Sequence, residues 1–506
     1  MPLEQRLHRL EELEFIYPTS QAPQQEYSFK HVLTQEAVYG TLLRPKRAAY
    51  HERIGQALET LSLDRLEECY ELLAYHYTRS PKTEKAVHYL GLANRKAIQA
   101  NAVEAAYASF TEAMTLLDTL PDTLDYRQQR LALVVHQAEV FVLLLKLQEY
   151  YDLLTRYESM VVELEDPGLL GTFYARLGWL QGIFGFFAQG IQVMTKAAAL
   201  CEAAGNAEDA GLTYSMMQWC YVCTGDFDQV LALHAPLLRT MEQRLHIRWY
   251  AWGLAAVSAA YTGLGRWANA VEEAQKALRM GEAFADGTAM SFAAWGIAMA
   301  YLHQGDLGRA VEYGELAVQQ ARTLADKVWA QCVLAGARCR AGELHQGLET
   351  LAANVPMSRA ARIVEAEVIN KFLGEGYWLA GEYAQATQSL HELREIAERC
   401  GMKYLLGFTH RLLGEIALHT NPTQVEVPLA APHFEQSIAL LRAIQADKLA
   451  LAYAGYGRLQ QQQGHLAQAR DYLTRALELF ERLGTWGEPD KVRQALGALP
   501  GEEQSG

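Results

Sequence analysis

Cys220 and Cys223, in the stretch WCYVC, have the spacing of a redox dithiol or of half a zinc site. A structural zinc needs four ligands in a closed tetrahedron, and no second pair lies nearby. The pattern around them places both thiols in the middle of a helix, which favours buried core residues over ligands. The 15 histidines include no H-E-x-x-H, the spacing that sets two imidazoles and a base on one helix face. No G-x-S-x-G elbow exposes a serine nucleophile, although chain order alone leaves Ser–His–Asp and Cys–His constellations open. No G-x-x-x-x-G-K-[ST] loop is present to cradle a phosphate. Carboxylates are plentiful, and helix surfaces account for them. The sequence therefore predicts no catalytic residue, no metal site and no cofactor.

The remaining chemistry is aromatic, and it depends on a repeated turn. The turn reads glycine, a polar residue, a bulky apolar residue, two spacers and a small residue. It occurs as GDFDQV from Gly225, GRWANA from Gly265, GDLGRA from Gly305, GELHQG from Gly342, GEYAQA from Gly381 and GHLAQA from Gly464. A weaker copy starts at Gly185, PHFEQS from Pro432 lacks the glycine, and LKLQEY from Leu145 is degraded. The central copies step by about 40 residues. Glycine ends one helix in a left-handed conformation that costs it little. Asp226 and Asp306 are N-cap candidates for the next helix. Phe227, Trp267, Leu307 and Tyr383 plug the junction, and Ala270, Ala310, Ala386 and Ala469 let the two helices approach. Before Gly265, Trp249, Trp252, Ala256 and Ala259 step by three and four, and the residues after it do the same, which is the helical period. One such pair cannot bury its apolar faces alone, but stacked pairs can. The predicted fold is all-α, a superhelical solenoid of antiparallel helix pairs.

These units resemble tetratricopeptide repeats with long helices. The small-residue position matches, as does a tyrosine four residues before the glycine at Tyr221, Tyr261, Tyr301 and Tyr377. The usual early Trp and closing Pro are mostly absent. The resemblance implies a right-handed superhelix whose first helices line an inner groove. Counting back from each turn glycine, groove positions fall three, six, ten and thirteen residues before it. Trp179, Trp219, Trp252, Trp295, Trp329 and Trp378 occupy them, which is six of the nine tryptophans. Tyr214, Met217, Val257, Ile297, Leu334 and Leu373 fall at core positions instead. Lys371 and Glu375 share the groove face with Trp378. Two readings stand: either long helices shift the register and the rings are core, or they form an aromatic groove for a peptide or partner helix.

Residues 27–47, YSFKHVLTQEAVYGTLLRPKR, differ from the repeats. With HERIGQALE and LLAYHYTRS they resemble the junction after the ATPase module of bacterial multidomain signalling proteins, in which a class III adenylate or guanylate cyclase and a STAND-type AAA ATPase precede the repeats. Phe29, His31, Leu33, Glu36 and Tyr39 carry that resemblance. It implies a winged-helix remnant over 1–50, in which His31 either packs between helices or, as a histidine of the related ATPases does, contacts a nucleotide. A first helical module then covers 51–120, the repeat array 125–483 and a flexible tail 484–506. NPTQVEVPLAAPH (421–433), with three prolines, is expected as an extended loop.

The net charge is −14, which disfavours a phosphate-binding surface because nucleic-acid affinity comes largely from Lys and Arg. Seven scattered cysteines without a disulfide framework fit reduced thiols in the cytoplasm. No apolar run approaches a membrane span. The function expected is a non-catalytic scaffold or sensor that binds a protein or peptide and regulates a signalling ATPase or nucleotide cyclase. The alternatives are a part of such an enzyme and a fragment of a transcriptional regulator of the ATPase–repeat type.

Overall fold

The computed structural model describes residues 2–19, 26–100, 102–161, 163–243, 247–361, 369–420 and 427–500. The chain divides into two compact units, Met1–Tyr150 and Tyr151–Gly506. The first holds α1 (Leu3–Glu12), β1 (Ile16–Pro18), β2 (Tyr27–Phe29), α2 (Val32–Thr41), α3 (Arg44–Leu61), α4 (Tyr70–Tyr77), α5 (Thr83–Gln99), α6 (Val103–Leu117), α7 (Leu124–Val135), α8 (Ala138–Leu143) and the start of α9 (Leu147–Val161). β1 and β2 pair antiparallel, with Ile16 opposite Phe29.

This unit does not end near residue 120, where the sequence suggested a boundary. LPDTLD is a helix start, because Thr123 caps α7 by accepting from the Tyr126 N–H. Asn94 and Gln137 exchange buried amide hydrogen bonds of 3.2 and 2.8 Å. The Tyr150 hydroxyl donates to the Val134 carbonyl, and its ring stacks on Phe141 at 4.9 Å. These contacts tie α7 and α8 to α5 before them and to the start of α9 after them.

The second unit stacks helix pairs: α10 (Pro167–Ile183) with α11 (Phe187–Ala203), α12 (Ala207–Thr224) with α13 (Phe227–Ala232) and α14 (His234–Gln243), and α15 (Ile247–Gly263) with α16 (Trp267–Phe284). There follow α17 (Gly287–Gln304) with α18 (Leu307–Gln320), α19 (Leu324–Ala341) with α20 (Leu344–Ala361), and α21 (Ile369–Leu379) with α22 (Tyr383–Cys400). The last pairs are α23 (Lys403–Thr420) with α24 (Val427–Ala443) and α25 (Leu449–Gln462) with α26 (Leu466–Leu483), followed by α27 (Glu488–Gly497). Pro236 explains the break between α13 and α14, since its ring clashes with the carbonyl four residues back.

The turn glycines behave as their spacing predicts. Gly225, Gly265, Gly305, Gly342, Gly381 and Gly464 all have positive φ, between 71° and 100°. Ala270, Ala310, Ala386 and Ala469 are fully buried where the paired helices meet. Asp306 caps α18 by accepting from the Arg309 N–H. Asp226 does not cap α13 through its side chain; it accepts instead from the Thr224 hydroxyl at 2.7 Å and from Lys403 at 2.9 Å.

Two further expectations are corrected. The proline-rich stretch is not an extended loop throughout. Residues 421–426 lie outside the described residues, but α24 begins at Val427 and contains Pro432. Pro428 is the second residue, where a proline costs little because the first N–H groups have no intrahelical acceptor, whereas Pro432 stands inside the helix and forgoes one backbone hydrogen bond. The tail beyond Gly484 is not uniformly loose either. α27 follows Gly487, with Pro489 and Val492 buried.

The solenoid closes on itself within this unit. The Asp447 N–H donates to the Gly263 carbonyl at 2.8 Å, the Trp267 indole to Leu483 at 2.6 Å and the Trp486 N–H to Gln304 at 2.7 Å. Ile444, Leu483 and Trp486 lie against the turn glycines Gly225, Gly265 and Gly305. The last two pairs thus pack on the turn edge of the middle repeats, some 180 to 220 residues earlier in the chain.

Candidate functional site

The first helices of four successive repeats, α12, α15, α17 and α19, carry a connected run of rings. Trp249 stacks on Trp252 at 5.9 Å, and Trp252 meets Trp219 edge-on at 6.5 Å. Trp219 lies 5.8 Å from Trp295, and Trp295 stacks on Trp329 at 6.3 Å. Phe292 bridges Trp252 and Trp295 at 5.3 and 6.5 Å. The Trp219 indole N–H donates to the Trp252 carbonyl at 3.2 Å. The Trp219–Trp295 contact skips a repeat, from α12 to α17. Helices two repeats apart approach this closely only on the inside of a curved stack, so the run lies on the inner face. Aromatic pairs at these separations are favourable beyond their area burial.

All six rings are half-buried, whereas Tyr214, Met217, Val257, Ile297, Leu334 and Leu373 are buried. The same helices therefore present two faces, a closed apolar core and an inner stripe that keeps part of its surface. The Trp295 indole N–H has no acceptor among the described residues. Trp179, one repeat upstream, is only 8% exposed, and its N–H likewise has no acceptor. Trp378 is half-buried on α21. Of the six expected groove tryptophans, the structure brings Trp219, Trp252, Trp295 and Trp329 together. It adds Trp249 and Phe292, each three residues before a stripe tryptophan and hence one helical turn away.

Lys371 and Glu375 belong to a different environment from the one their spacing beside Trp378 suggested. Closure of the solenoid surrounds them with charge from α17, α19, α23 and the start of α25. Asp447 accepts from the Tyr404 hydroxyl at 2.9 Å and from His303 Nδ1 at 3.1 Å, with Lys448 Nζ at 3.3 Å. Arg411 lies 3.9 Å from Glu375, and Arg458 pairs with Glu415. Arg340 donates to the Leu302 carbonyl at 3.0 Å. Lys371 packs its ammonium near the rings of Phe372, Phe408 and Tyr404, at 5.2, 5.6 and 6.0 Å.

Burial, and then the charge of Lys448, push Lys371 down to about 8 and His303 down to about 3. Burial works to raise Glu375, but Arg340 and Arg411 outweigh it and hold the carboxyl below its usual range. Burial opposes ionisation of Asp447 too, yet Lys448 and His303 keep it well below the ordinary carboxylate value. Sequence reading missed this cluster because its members converge from 144 residues apart, and no local period records a closure.

His31 is exposed at the start of α2, with no side-chain cap bond. The buried histidine of that region is His51, whose Nε2 lies 2.9 Å from the Tyr39 hydroxyl and whose Nδ1 lies 2.9 Å from His76. Cys220 is buried, Cys223 half-buried, and neither forms a disulfide. Among the described residues, no group of His, Cys, Asp or Glu could hold a metal ion, and no helix is long and apolar enough to cross a membrane.

Stacked antiparallel pairs with glycine turns and an inner aromatic face define a TPR-like helical solenoid. Among solved structures, a Rap protein complexed with Competence and Sporulation Factor superposes with a TM-score of 0.53 at 15% identity, covering 71% of this chain and 98% of that one. The Cut9–Hcn1 hetero-tetramer of APC/C gives a TM-score of 0.44 at 15% identity over 89% and 91% of the two chains. The apo form of RapI gives 0.42 at 13% identity over 71% and 98%. No family model and no curated protein matches the chain.

Proposed function

We propose that the chain is a non-catalytic scaffold that binds a protein or peptide partner along the stripe from Trp249 to Trp329. The observation that carries this reading is the unbroken run of six half-buried rings on one face, beside a core that is buried at the positions where a core is expected. Large aromatic rings dominate interface energetics, and contiguous apolar patches on a folded chain mark contact surfaces. The solved Rap protein of this fold is complexed with Competence and Sporulation Factor, which supports a binding role for such a solenoid. In this reading the partner alters the packing between neighbouring repeats, and small changes add along the array into curvature. The output is regulation of a signalling ATPase or nucleotide cyclase, the class that residues 27–47 resemble, with His31 facing a nucleotide held by that ATPase.

Panning a random peptide library on the purified chain tests the proposal. Selected peptides are expected to be rich in apolar side chains and to bind Trp295→Ala at least about 30-fold more weakly, roughly 2 kcal/mol. Equal affinity for the native chain and the variant would remove the stripe from the account. Assays of the chain alone for cyclic-nucleotide formation and ATP hydrolysis are expected to read zero; turnover would move it to the enzymes.

A further inference from the structure

We infer that the closed end of the inner face is a binding site for a carboxylate, held by Lys371 and Lys448 with Arg340 at its rim. Lys371 is 6% exposed. Among the described residues its ammonium has no hydrogen-bond acceptor and no carboxylate within ion-pair distance, only the faces of three rings. A buried ammonium without a counter-charge is expensive, and such groups are normally paired. The other charges do not supply the missing partner. Asp447 is taken up by Lys448, His303 and Tyr404, Glu375 by Arg411 and Glu415 by Arg458. His303 is uncharged at neutral pH. Among the described residues Lys371 is thus the cluster's cation left without a hydrogen bond or ion pair.

A monoanion completes it. A dianion such as phosphate would set a second charge against Asp447, Glu375 and Glu415, so the chemistry favours a carboxylate. The same helices join this site to the stripe. Trp329 and Arg340 are eleven residues apart on α19, which is about 16 Å of rise and about 20° of rotation. About five residues of extended peptide span that distance. A ligand lying on the rings can therefore place a carboxylate, its C-terminus or an acidic side chain, beside Lys371. The ligand's apolar body rests on the proposed groove; the anion site does not.

Acetate and inorganic phosphate, each titrated at constant ionic strength against chloride, test the site through the unfolding midpoint. Acetate is expected to raise the midpoint of the native chain saturably, and Lys371→Met to lose that rise. No saturable rise, an equal rise in the variant, or a rise with phosphate alone would overturn the inference. Should Lys371→Met fail to fold, crystals of the native chain soaked in bromide give a second reading. An anomalous peak within hydrogen-bond distance of Lys371 Nζ is expected, and an empty site would contradict it. Trp295→Ala is expected to keep the acetate response, so a failure of the stripe and a failure of the anion site are distinguishable. Amidating the C-terminus of a stripe-binding peptide separates the two carboxylate sources: lost affinity assigns the C-terminus, and retained affinity that falls when its Asp or Glu is amidated assigns the side chain. Affinity indifferent to both changes would overturn the link between the two sites.

Discussion

The inner face has two halves that are built in different ways. From α12 to α19 it is aromatic, and Trp219, Trp252, Trp295 and Trp329 meet across neighbouring repeats or across two. Around α21 to α25 it is ionic, and its members arrive from distant repeats through closure of the solenoid. The aromatic half is half-exposed and neutral. The ionic half is largely buried, and among the described residues each of its charges but Lys371 has a hydrogen-bond or ion-pair partner. Local assembly leaves a surface free to bind, whereas closure consumes surface and creates a cluster whose removal is costly.

The largest effect expected from this contrast is in the ionic half. Asp447→Ala removes the acceptor shared by His303, Tyr404 and Lys448 and leaves a buried cation unpaired. Breaking such a group costs about 3–5 kcal/mol, measurable by urea unfolding. A cost below about 1 kcal/mol would mean that the cluster is solvated.

A somewhat smaller effect should appear in acid. His303 is neutral in the folded chain, its value pushed down to about 3 from 6.5. Below pH 6.5 the unfolded chain takes up a proton that the folded chain refuses. Stability from this group is therefore present above pH 6.5 and lost as pH falls from there toward 3. His410, pushed down to about 4 by burial and by His433, adds to the same window. The informative quantity is thus the difference between the native chain and His303→Gln, which keeps a donor for Asp447. The variant should show the shallower profile, and identical slopes would show that His303 does not titrate as described.

The smallest effect separates the stripe from the core. Ile297→Ala empties a fully buried site and is expected to cost about 2–4 kcal/mol. Trp295→Ala, two residues away on the same helix, trims a half-buried ring and should cost about 1–2 kcal/mol despite the larger side chain. Reversal of that order would return the tryptophans to packing.

Legibility in the sequence follows the same division. The glycine turns, the buried alanines and the core positions from Tyr214 to Leu373 could be read because each depends on contacts within one repeat. The Trp219–Trp329 series could be read from turn spacing, and Trp249 and Phe292 were available from the same three-residue step. Asp226 was misassigned as a cap because its lysine partner lies 177 residues away. Lys371 and Glu375 were placed on the correct helix but in the wrong environment, since nothing near them in sequence announces Asp447, Lys448 or Arg411. Pro432 misled because prolines were read as excluding a helix, whereas α24 carries one at its second position and another inside.

The central claim is that the aromatic stripe is a contact surface. Site-specific photocrosslinking tests it directly, with p-benzoylphenylalanine placed at Phe292 in the stripe or at Glu272 on the exposed face of α16. A library-selected peptide is predicted to crosslink at position 292 and not at 272. Crosslinking at 272 with none at 292 would contradict the account.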